Sequence, residues 1–403
     1  MAAALQPPHS RISARNRVLL GIGLLCICLP AFAGSYEQVN LVSDIFGIAR
    51  FQDTNLVNAW GITYGPTTPF WIADNGAGVS TLYNQDGVAV PLTVLIPVPG
   101  GACPPPSAAA PTGIVFNGNA SSFLVGANQP AHFIFDTEDG TISGWNSGNC
   151  AVLEVDNSAN AVDGTLNGKS TGLTLGAVYK GLAIGNNGSG DFIYATNFRD
   201  GVVEMYDAQF HFVGFFTDPN ITPDAGSPGF APFGIQNING LLYVTFAMQD
   251  NFRHDDVAGA GSGFVDVFDL NGNFKRTFAS GGRLNSPWGL ALAPDDFGKF
   301  SHHLLIGNFG DGHINAFDFH SGGSDGPLKN DRGEAIFIGG LWGLKFGGGG
   351  KSPMTGLLVN GFPNELFFTA GIDHEGHGLF GKIIVDPDDQ NDDRDHDHEH
   401  SHH

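Results

Sequence analysis

The chain has 403 residues, and its 40 acidic residues outnumber its 18 lysines and arginines, which gives a formal net charge of −22 at pH 7. This charge argues against nucleic acid as a partner, because phosphate contacts need a basic surface. The length is sufficient for one large hydrophobic core, and an acidic surface keeps such a protein in solution or attracts cations.

Residues 1–33 have the features of a secretion signal peptide. Three arginines precede the apolar stretch 18–28, and residues 31–33 form a small-x-small cleavage site. A retained membrane anchor is the alternative, but Pro30 interrupts the apolar stretch, which is short for a span of about 20 residues. We therefore expect a periplasmic or secreted monomer that has no membrane span after cleavage.

Six similar units follow, and each begins with a glycine that precedes an aliphatic residue. The residues before these glycines are spaced 52, 68, 53, 55 and 54 apart: Trp60, Thr112, Lys180, Phe233, Trp288 and Trp342. Each opener leads into β-rich runs separated by a glycine turn, such as DFIYATN and GVVEMYD. One antiparallel sheet repeated six times is typical of a β-propeller. We predict an all-β, six-bladed β-propeller over residues 34–386.

The last repeat predicts how the propeller closes. It contains only three predicted strands, at 342–346, 365–369 and 381–385. We expect residues 37–42, directly after the signal peptide, to supply the missing outer strand. Such closure would join the two ends of the chain and remove an exposed sheet edge.

Cleavage of the signal peptide would leave two cysteines, Cys103 and Cys150. Two cysteines in an exported protein indicate one disulfide, and two free buried thiols are the alternative.

Residues 387–403 form an acidic tail without apolar residues to bury after Pro387, so we predict that it is disordered. Its histidines include His396, His398 and His400, and they would chelate zinc, nickel or copper. A merely solubilising tail is the alternative.

Short polar residues recur at the ends of the second strands: Asp74, Asp136, Asn197 and Asn308. We call the end of the propeller where the inner strands begin the mouth, and these residues should lie there. The functional hypothesis is a ring of oxygen ligands that holds calcium at the channel mouth. The alternative is that each side chain bonds its own loop backbone.

Two repeats carry enlarged loops on this same side. Repeat four presents His254, Asp255 and Asp256, and repeat six presents Glu375 and His377. We expect the two loops to converge across repeat five, above Asn308, because loops on a rigid scaffold concentrate function. Imidazole with carboxylate could bind zinc or a similar metal, or could act as a general base and its orienting partner. A solvated polar loop is the alternative.

The openers also supply candidate ligand contacts at the mouth. Trp60, Trp288 and Trp342 could form an aromatic platform for sugars or other flat ligands. The alternative is that these tryptophans pack between blades as core. Lys180 could contact an anionic ligand or form an ion pair between blades.

Several segments resemble a known family: SPWGLALAP, NFGDGHINAFD, GLWGLKFG, HDDVAGAGSGFVDVFD, TEDGTISGW and HGLFG. They are similar to segments of an uncharacterised family of exported bacterial propeller proteins, of the YVTN or NHL-like kind, and the match covers roughly residues 39–386. The resemblance implies a six-bladed propeller and no particular chemistry.

The function predicted from these features is a binding module for a small ligand, glycan or protein partner, with or without a divalent metal. The alternative is a propeller enzyme with its site at the mouth, either a metal-dependent lactonase-like hydrolase or a quinoprotein dehydrogenase. The six-bladed lactonases to which the chain is similar in predicted architecture have a carboxylate directly before the opener glycine. None of the six openers of this chain has a carboxylate at that position. The phosphate-binding GxxxxGK[ST] motif is also absent.

Overall fold

The computed structural model describes Met1 and residues 34–103, 107–159, 165–166, 169–170, 176–221 and 229–386. The predicted signal peptide and the tail with His396, His398 and His400 lie outside the described residues. None of the helices in the described part of the chain is long and apolar enough to cross a membrane.

The described residues form six antiparallel sheets, one for each sequence repeat, and we call them blades 1 to 6. The strands of blades 1 to 3 are Ala59–Thr63, Phe70–Asp74, Val79–Tyr83 and Val94–Leu95; Pro111–Phe116, Phe133–Thr137, Thr141–Trp145 and Val152–Asp156; Tyr179–Asn186, Asp191–Asn197, Val202–Asp207 and Phe212–Phe216. Those of blades 4 to 6 are Phe230–Ile238, Leu241–Met248, Phe264–Asp269 and Phe274–Ser280; Pro287–Leu292, His303–Asn308, Ile314–Asp318 and Ser324–Pro327; Leu341–Phe346, Leu366–Ile372, His377–Val385 and Tyr36–Ser43. The predicted six-bladed propeller is confirmed.

Small elements lie outside this pattern. Strand Phe51–Gln52 pairs in parallel with the outer edge of blade 6. Two short hairpins are formed by Leu124–Val125 with Gln129–Pro130 and by Thr165–Leu166 with Lys169–Ser170. The 3-10 helices are Asn75–Ala77 and Gly298–Phe300.

The N-terminal strand closes the last blade, as predicted. Tyr36–Ser43 pairs antiparallel with His377–Val385, from Tyr36 opposite Val385 to Ser43 opposite Leu379. The Tyr36 ring then packs on Phe297 of blade 5, with ring centroids 4.9 Å apart. Residues 36–43 and 377–385 are therefore held in one sheet, and strand His377–Val385 is paired on both sides.

The opener glycines are required by the crowding of inner strands around the axis. A Cβ atom on Gly234 would lie 2.1 Å from the carbonyl oxygen of Trp288, and one on Gly289 would lie 2.4 Å from that of Trp342. Neither distance is physically possible, so only glycine lets neighbouring blades approach this closely. A small cavity of about 30 Å³ lies between the inner strands and is lined by residues such as Ile62, Leu182 and Leu290.

A disulfide joins Cys103 to Cys150, whose Cα atoms are 6.3 Å apart. Cys150 also forms a β-bridge with Leu95, the last residue of the outer strand of blade 1. The bond therefore links the segment after blade 1 to the start of the outer strand of blade 2.

Replacing both cysteines by serine is expected to lower the free energy of unfolding by about 3 kcal/mol, because the crosslink restricts a loop of several tens of residues in the unfolded chain. Denaturant unfolding without reductant measures this loss. Wild-type protein unfolded with reductant is the control and should match the double variant. If reductant leaves the wild-type transition unchanged, the bond contributes no stability.

Candidate functional site

Strand register brings the openers and the turns between second and third strands to the same end of the propeller. Ala59 pairs with Asp74 in blade 1, Tyr179 with Asn197 in blade 3, and Pro287 with Asn308 in blade 5. The start of each of these inner strands thus lies beside the end of its second strand. The mouth is therefore built from the openers and from these turns.

An aromatic cluster fills the axis beneath the mouth. The rings of Trp60 and Trp342 stack with centroids 3.4 Å apart, and Phe309 stacks on the other face of Trp342 at 4.0 Å. The exposed fractions of Trp60 and Trp342 are only 2% and 1%. The prediction that these two tryptophans form a platform for ligands is therefore wrong, because the packing of six blades encloses them as core. Trp288 stays partly exposed, and its indole N–H donates to the carbonyl oxygen of Lys180 at 2.8 Å.

Lys180 is buried at the centre of a charged cluster. Its ammonium group pairs with Glu138 of blade 2 and lies 3.4 Å from a carboxylate oxygen of Asp255 in blade 4. It also lies 5.3 Å from the centre of the Trp60 ring, a cation–π contact. Burial by itself would lower the pKa of Lys180, but the carboxylates of Glu138 and Asp255 raise it above its usual value. Lys180 therefore forms an ion pair between blades, one of the two roles expected from the sequence.

A chain of hydrogen bonds connects Glu138 to blades 1 and 6. The amide of Asn75 donates to Glu138 at 2.9 Å, and the amide of Asn58 donates both to Asn75 at 3.2 Å and to Glu375 at 2.9 Å. The indole N–H of Trp342 donates to the side-chain oxygen of Asn58 at 3.2 Å. These bonds fix the orientation of two carboxylates that face the mouth from opposite sides of blade 1.

The enlarged loop of blade 4 places His254 and Asp255 over this cluster. Nδ1 of His254 lies 2.8 Å from a carboxylate oxygen of Asp255, and the side chain of His254 is 39% exposed. The hydrogen bond from His254 and then the charge of Lys180 lower the pKa of Asp255 to about 2, although burial opposes them. Potential metal-ligating atoms of Glu138, His254 and Asp255 all lie within 4.8 Å of one another.

The turn of blade 6 brings Glu375 to the mouth through an unusual backbone. Asp373, His374 and Glu375 have φ angles of 53°, 56° and 64°, so three successive residues with side chains adopt the left-handed region. Such residues are strained and often occur at functional positions. Burial raises the pKa of Glu375, and the neighbouring charge of Glu138 adds to this effect.

Two other predicted metal ligands occupy different positions. His377 does not join His254, because its Nδ1 lies 2.7 Å from a carboxylate oxygen of Asp44, beside the N-terminal strand. This pairing raises the pKa of His377. Asp256 lies partly buried beside the cluster; burial raises its pKa, which the charge of Lys180 lowers in part. The expectation that His254 and His377 share one site is therefore wrong, because the closing strand provides His377 with its own partner.

The predicted ring of oxygen ligands is not formed, because its members bond to their own loops or strands. Asp74 accepts from the backbone N–H of Thr81 at 2.9 Å. Asn197 donates to Asp200 at 2.9 Å and to Glu204 at 2.6 Å. Asn308 donates to the carbonyl oxygen of Arg283 at 2.7 Å. In blade 2, Thr137 and not Asp136 occupies the end of the second strand, opposite Pro111. Asp136 lies one residue earlier and accepts hydrogen bonds from the hydroxyl of Thr112 at 2.9 Å and the backbone N–H of Gly113 at 2.6 Å. Neither Asn197 nor Asn308 therefore offers a free calcium ligand at the mouth.

Sequence reasoning missed Glu138, Asn58 and Asn75. Glu138 directly precedes Asp139–Gly140, a residue pair that by itself predicts only an ordinary hairpin turn. The available signal was its position, since a carboxylate one residue before such a turn lies at the mouth.

Comparison with known proteins places the chain among viral relatives. It is 34% identical over 366 residues to uncharacterized protein R648 of Acanthamoeba polyphaga mimivirus, covering 89% of this chain and 82% of that protein. It is 31% identical over 365 residues to uncharacterized protein L690 of the same virus, covering 89% and 88%. The chain belongs to one family with these mimivirus proteins. No established family model matches it. The bacterial, exported character that the resemblance implied stays a prediction, because these relatives are viral.

Two solved structures follow a similar course over most of the chain. Virginiamycin B lyase from Staphylococcus aureus is 14% identical, with a TM-score of 0.46, covering 88% of this chain and all of that one. A putative gluconolactonase is 11% identical, with a TM-score of 0.48, covering 88% and 93%. At these identities no activity is transferred to this chain.

Proposed function

We propose that the protein is a binding module whose mouth holds a divalent metal ion through Glu138, His254 and Asp255, and that the ion binds a small oxygen-bearing ligand such as a glycan. The observation that supports this proposal is the convergence of three ligating groups from blades 2 and 4 within 4.8 Å. One imidazole with two carboxylates suits zinc or a similar transition metal. The resident ammonium of Lys180 would then balance the excess negative charge of the site.

The charge around the mouth favours a cation. The carboxylates of Glu138, Asp255, Asp256 and Glu375 surround Lys180, and their charges influence one another or the lysine. These four carboxylates outnumber the two nearby cations, Lys180 and Arg199, the second of which also interacts with Asp255. A partly enclosed surface of one sign concentrates ions of the opposite sign.

The shape of the mouth limits where a ligand can bind. The stacked, buried tryptophans block entry along the axis beneath the site. A ligand would therefore lie on the mouth surface, between the enlarged loop of blade 4 and the turn of blade 6. His254 is exposed enough to offer its second ring nitrogen there.

In the same proposal the module acts outside the cytoplasm, as the disulfide and the signal-like first 33 residues favour.

Calorimetric titration with zinc tests the proposal. Glu138→Gln and His254→Ala should each abolish the binding of one zinc ion by the full-length protein, or lower the affinity for that ion by at least about tenfold. Losing a metal ligand or its hydrogen-bonded partner commonly has an effect of this size. His211→Ala is the matched control, since His211 also faces an aspartate, Asp207, but is 77% exposed and far from the mouth in blade 3. The tail histidines bind equally in all variants and cancel in the comparison. Unchanged zinc binding in both mouth variants would refute the proposal.

A second candidate is catalysis with His254 as general base. Its support is the bond between His254 and Asp255, since a carboxylate on Nδ1 orients an imidazole whose other nitrogen can take a proton. Hydrolysis of a panel of lactones and aryl esters tests it, with His254→Ala expected to abolish turnover and His211→Ala expected to keep it. Turnover that His254→Ala leaves intact would exclude this role.

A further inference from the structure

We propose a second cation site, specific for calcium, between blades 3 and 4, where the carboxylates of Asp218 and Asp266 face one another. This site is independent of the mouth and uses none of its residues.

Asp266 is a buried carboxylate whose nearest donor, the hydroxyl of Thr277, does not reach it with good hydrogen-bond geometry. It lies on the third strand of blade 4, between Val265 and Val267, and its exposed fraction is 0%. Neither of its oxygens has a hydrogen-bond partner among the residues that the structure describes. A buried ionised group without a partner is costly, so the site needs a proton or a cation.

Asp218 supplies the second carboxylate from the neighbouring blade. It follows the outer strand of blade 3 and is only 6% exposed. The ring of Phe216, two residues before Asp218, packs on Phe268, two residues after Asp266, with centroids 4.9 Å apart, which places the two aspartates on facing parts of the blades. The charge of Asp218 acts on Asp266. One of its oxygens accepts from the backbone N–H of Asn220 at 2.7 Å and from the Asn220 amide at 2.9 Å. These bonds orient Asp218 and leave its other oxygen for a ligand. Burial raises the pKa of Asp266 to about 7; the hydroxyl of Thr277 opposes this rise and the charge of Asp218 adds to it.

The nearby basic side chains are engaged elsewhere. Lys275 pairs with Asp269 at 2.6 Å. Arg276 lies over the ring of Phe278 at 5.0 Å and donates to the carbonyl oxygen of Phe319 at 3.5 Å. Neither therefore neutralises the two aspartates.

The donor set indicates the kind of cation. Thr277 lies directly opposite Asp266 across the strand pair, so its hydroxyl is on the same face of the sheet. The buried hydroxyl of Thr217, next to Asp218, also has no hydrogen-bond partner among the described residues. Carboxylate and hydroxyl oxygens without any imidazole or thiolate suit a hard ion, and calcium accepts six to eight such ligands, including water. A bound calcium ion would bridge blades 3 and 4.

Calcium titration of the chelator-treated, full-length protein tests this site. The wild type should bind one calcium ion that Asp266→Asn and Asp218→Asn both lose, and calcium at 100 times its dissociation constant should raise the wild-type melting temperature by about 5 °C. Without calcium, Asp266→Asn should be at least as stable as the wild type, because it removes a buried charge. Asp269→Asn, on the same strand but paired with Lys275, is the matched control and should keep the site.

His254→Ala separates this site from the proposed mouth site, because it should lose zinc at the mouth and keep calcium here. If the chelated wild type melts at the same temperature with and without calcium, the two aspartates share a proton and the proposal is overturned. The same holds if Asp266→Asn and Asp218→Asn both retain the calcium ion. The two aspartates come from different blades, so if one variant fails to fold, calcium titration of the other variant still tests the site.

Discussion

Replacing Lys180 by methionine is expected to lower the free energy of unfolding at pH 7 by about 3 to 5 kcal/mol, because it leaves a buried carboxylate without its cation. Glu138 is only 13% exposed, and the carboxylates of Asp255 and Asp256 also face the lysine. Since the pKa of Lys180 is raised, its contribution is fully present at neutral pH and is lost only as the pH rises through that raised value. Denaturant unfolding at pH 7 measures the effect.

Lys275→Met is the matched control for this experiment. Its pair with Asp269 is exposed, at 46% and 22% for the two side chains, so its loss should cost less than about 1 kcal/mol. Adding Glu138→Gln to the Lys180 variant should restore part of the stability, because the uncompensated charge is then removed as well. Equal losses in the two lysine variants would show that Lys180 is not a buried pair. The Lys180→Met variant should also bind zinc at the mouth more tightly, because the ammonium group no longer competes with the metal ion for the carboxylates of Glu138 and Asp255.

Replacing Trp342 by alanine is expected to cost about 3 to 5 kcal/mol, because it leaves a large cavity in a rigid core. Trp342 is stacked between Trp60 and Phe309 at 3.4 and 4.0 Å and contacts the edge of Phe233 at 5.8 Å. Six inner strands surround this stack, so it can collapse little. Thermal and denaturant unfolding both measure the loss.

Trp145→Ala is the control, since Trp145 lies half-buried at the end of a strand in blade 2. It should cost clearly less than the change at the axis. Trp342→Phe should recover most of the packing but lose the hydrogen bond to Asn58. If the phenylalanine variant is stable yet binds the metal-held ligand less tightly, the indole N–H positions Asn58 and through it Glu375. A wild-type melting curve for Trp342→Ala would contradict the packing argument.

The fold could be predicted because its signals are local and repeated. Six openers at similar spacing fix the number of blades, and a last repeat with three strands requires an outer strand from elsewhere in the chain. The observed strand Tyr36–Ser43 is one residue longer at each end than predicted. Polar residues at the ends of the second strands were harder to place. A shift of one residue moves Asp136 to the other face of its strand, and sequence spacing does not reveal such a shift.

The candidate site could be predicted only in part. The enlarged loop with His254 and Asp255 stood out by its length, and Glu375 stood out beside the histidines of blade 6. Glu138 did not, because its place in a turn before Asp139 resembles an ordinary hairpin, and its importance depends on the neighbouring blade that brings Lys180 to it. Contacts between blades join residues tens of positions apart, and no local pattern encodes them.

The sequence by itself determined the blade count and the closing strand, because both follow from repetition. For Cys103 and Cys150 it left a choice between one disulfide and two free thiols, which the structure decided. Only the tertiary structure decided that Trp60 and Trp342 are core and that His377 belongs to Asp44. The physical reason is the same in both cases. Exposure and partners at the axis depend on how closely six sheets pack around it, and that distance is a property of the assembled propeller.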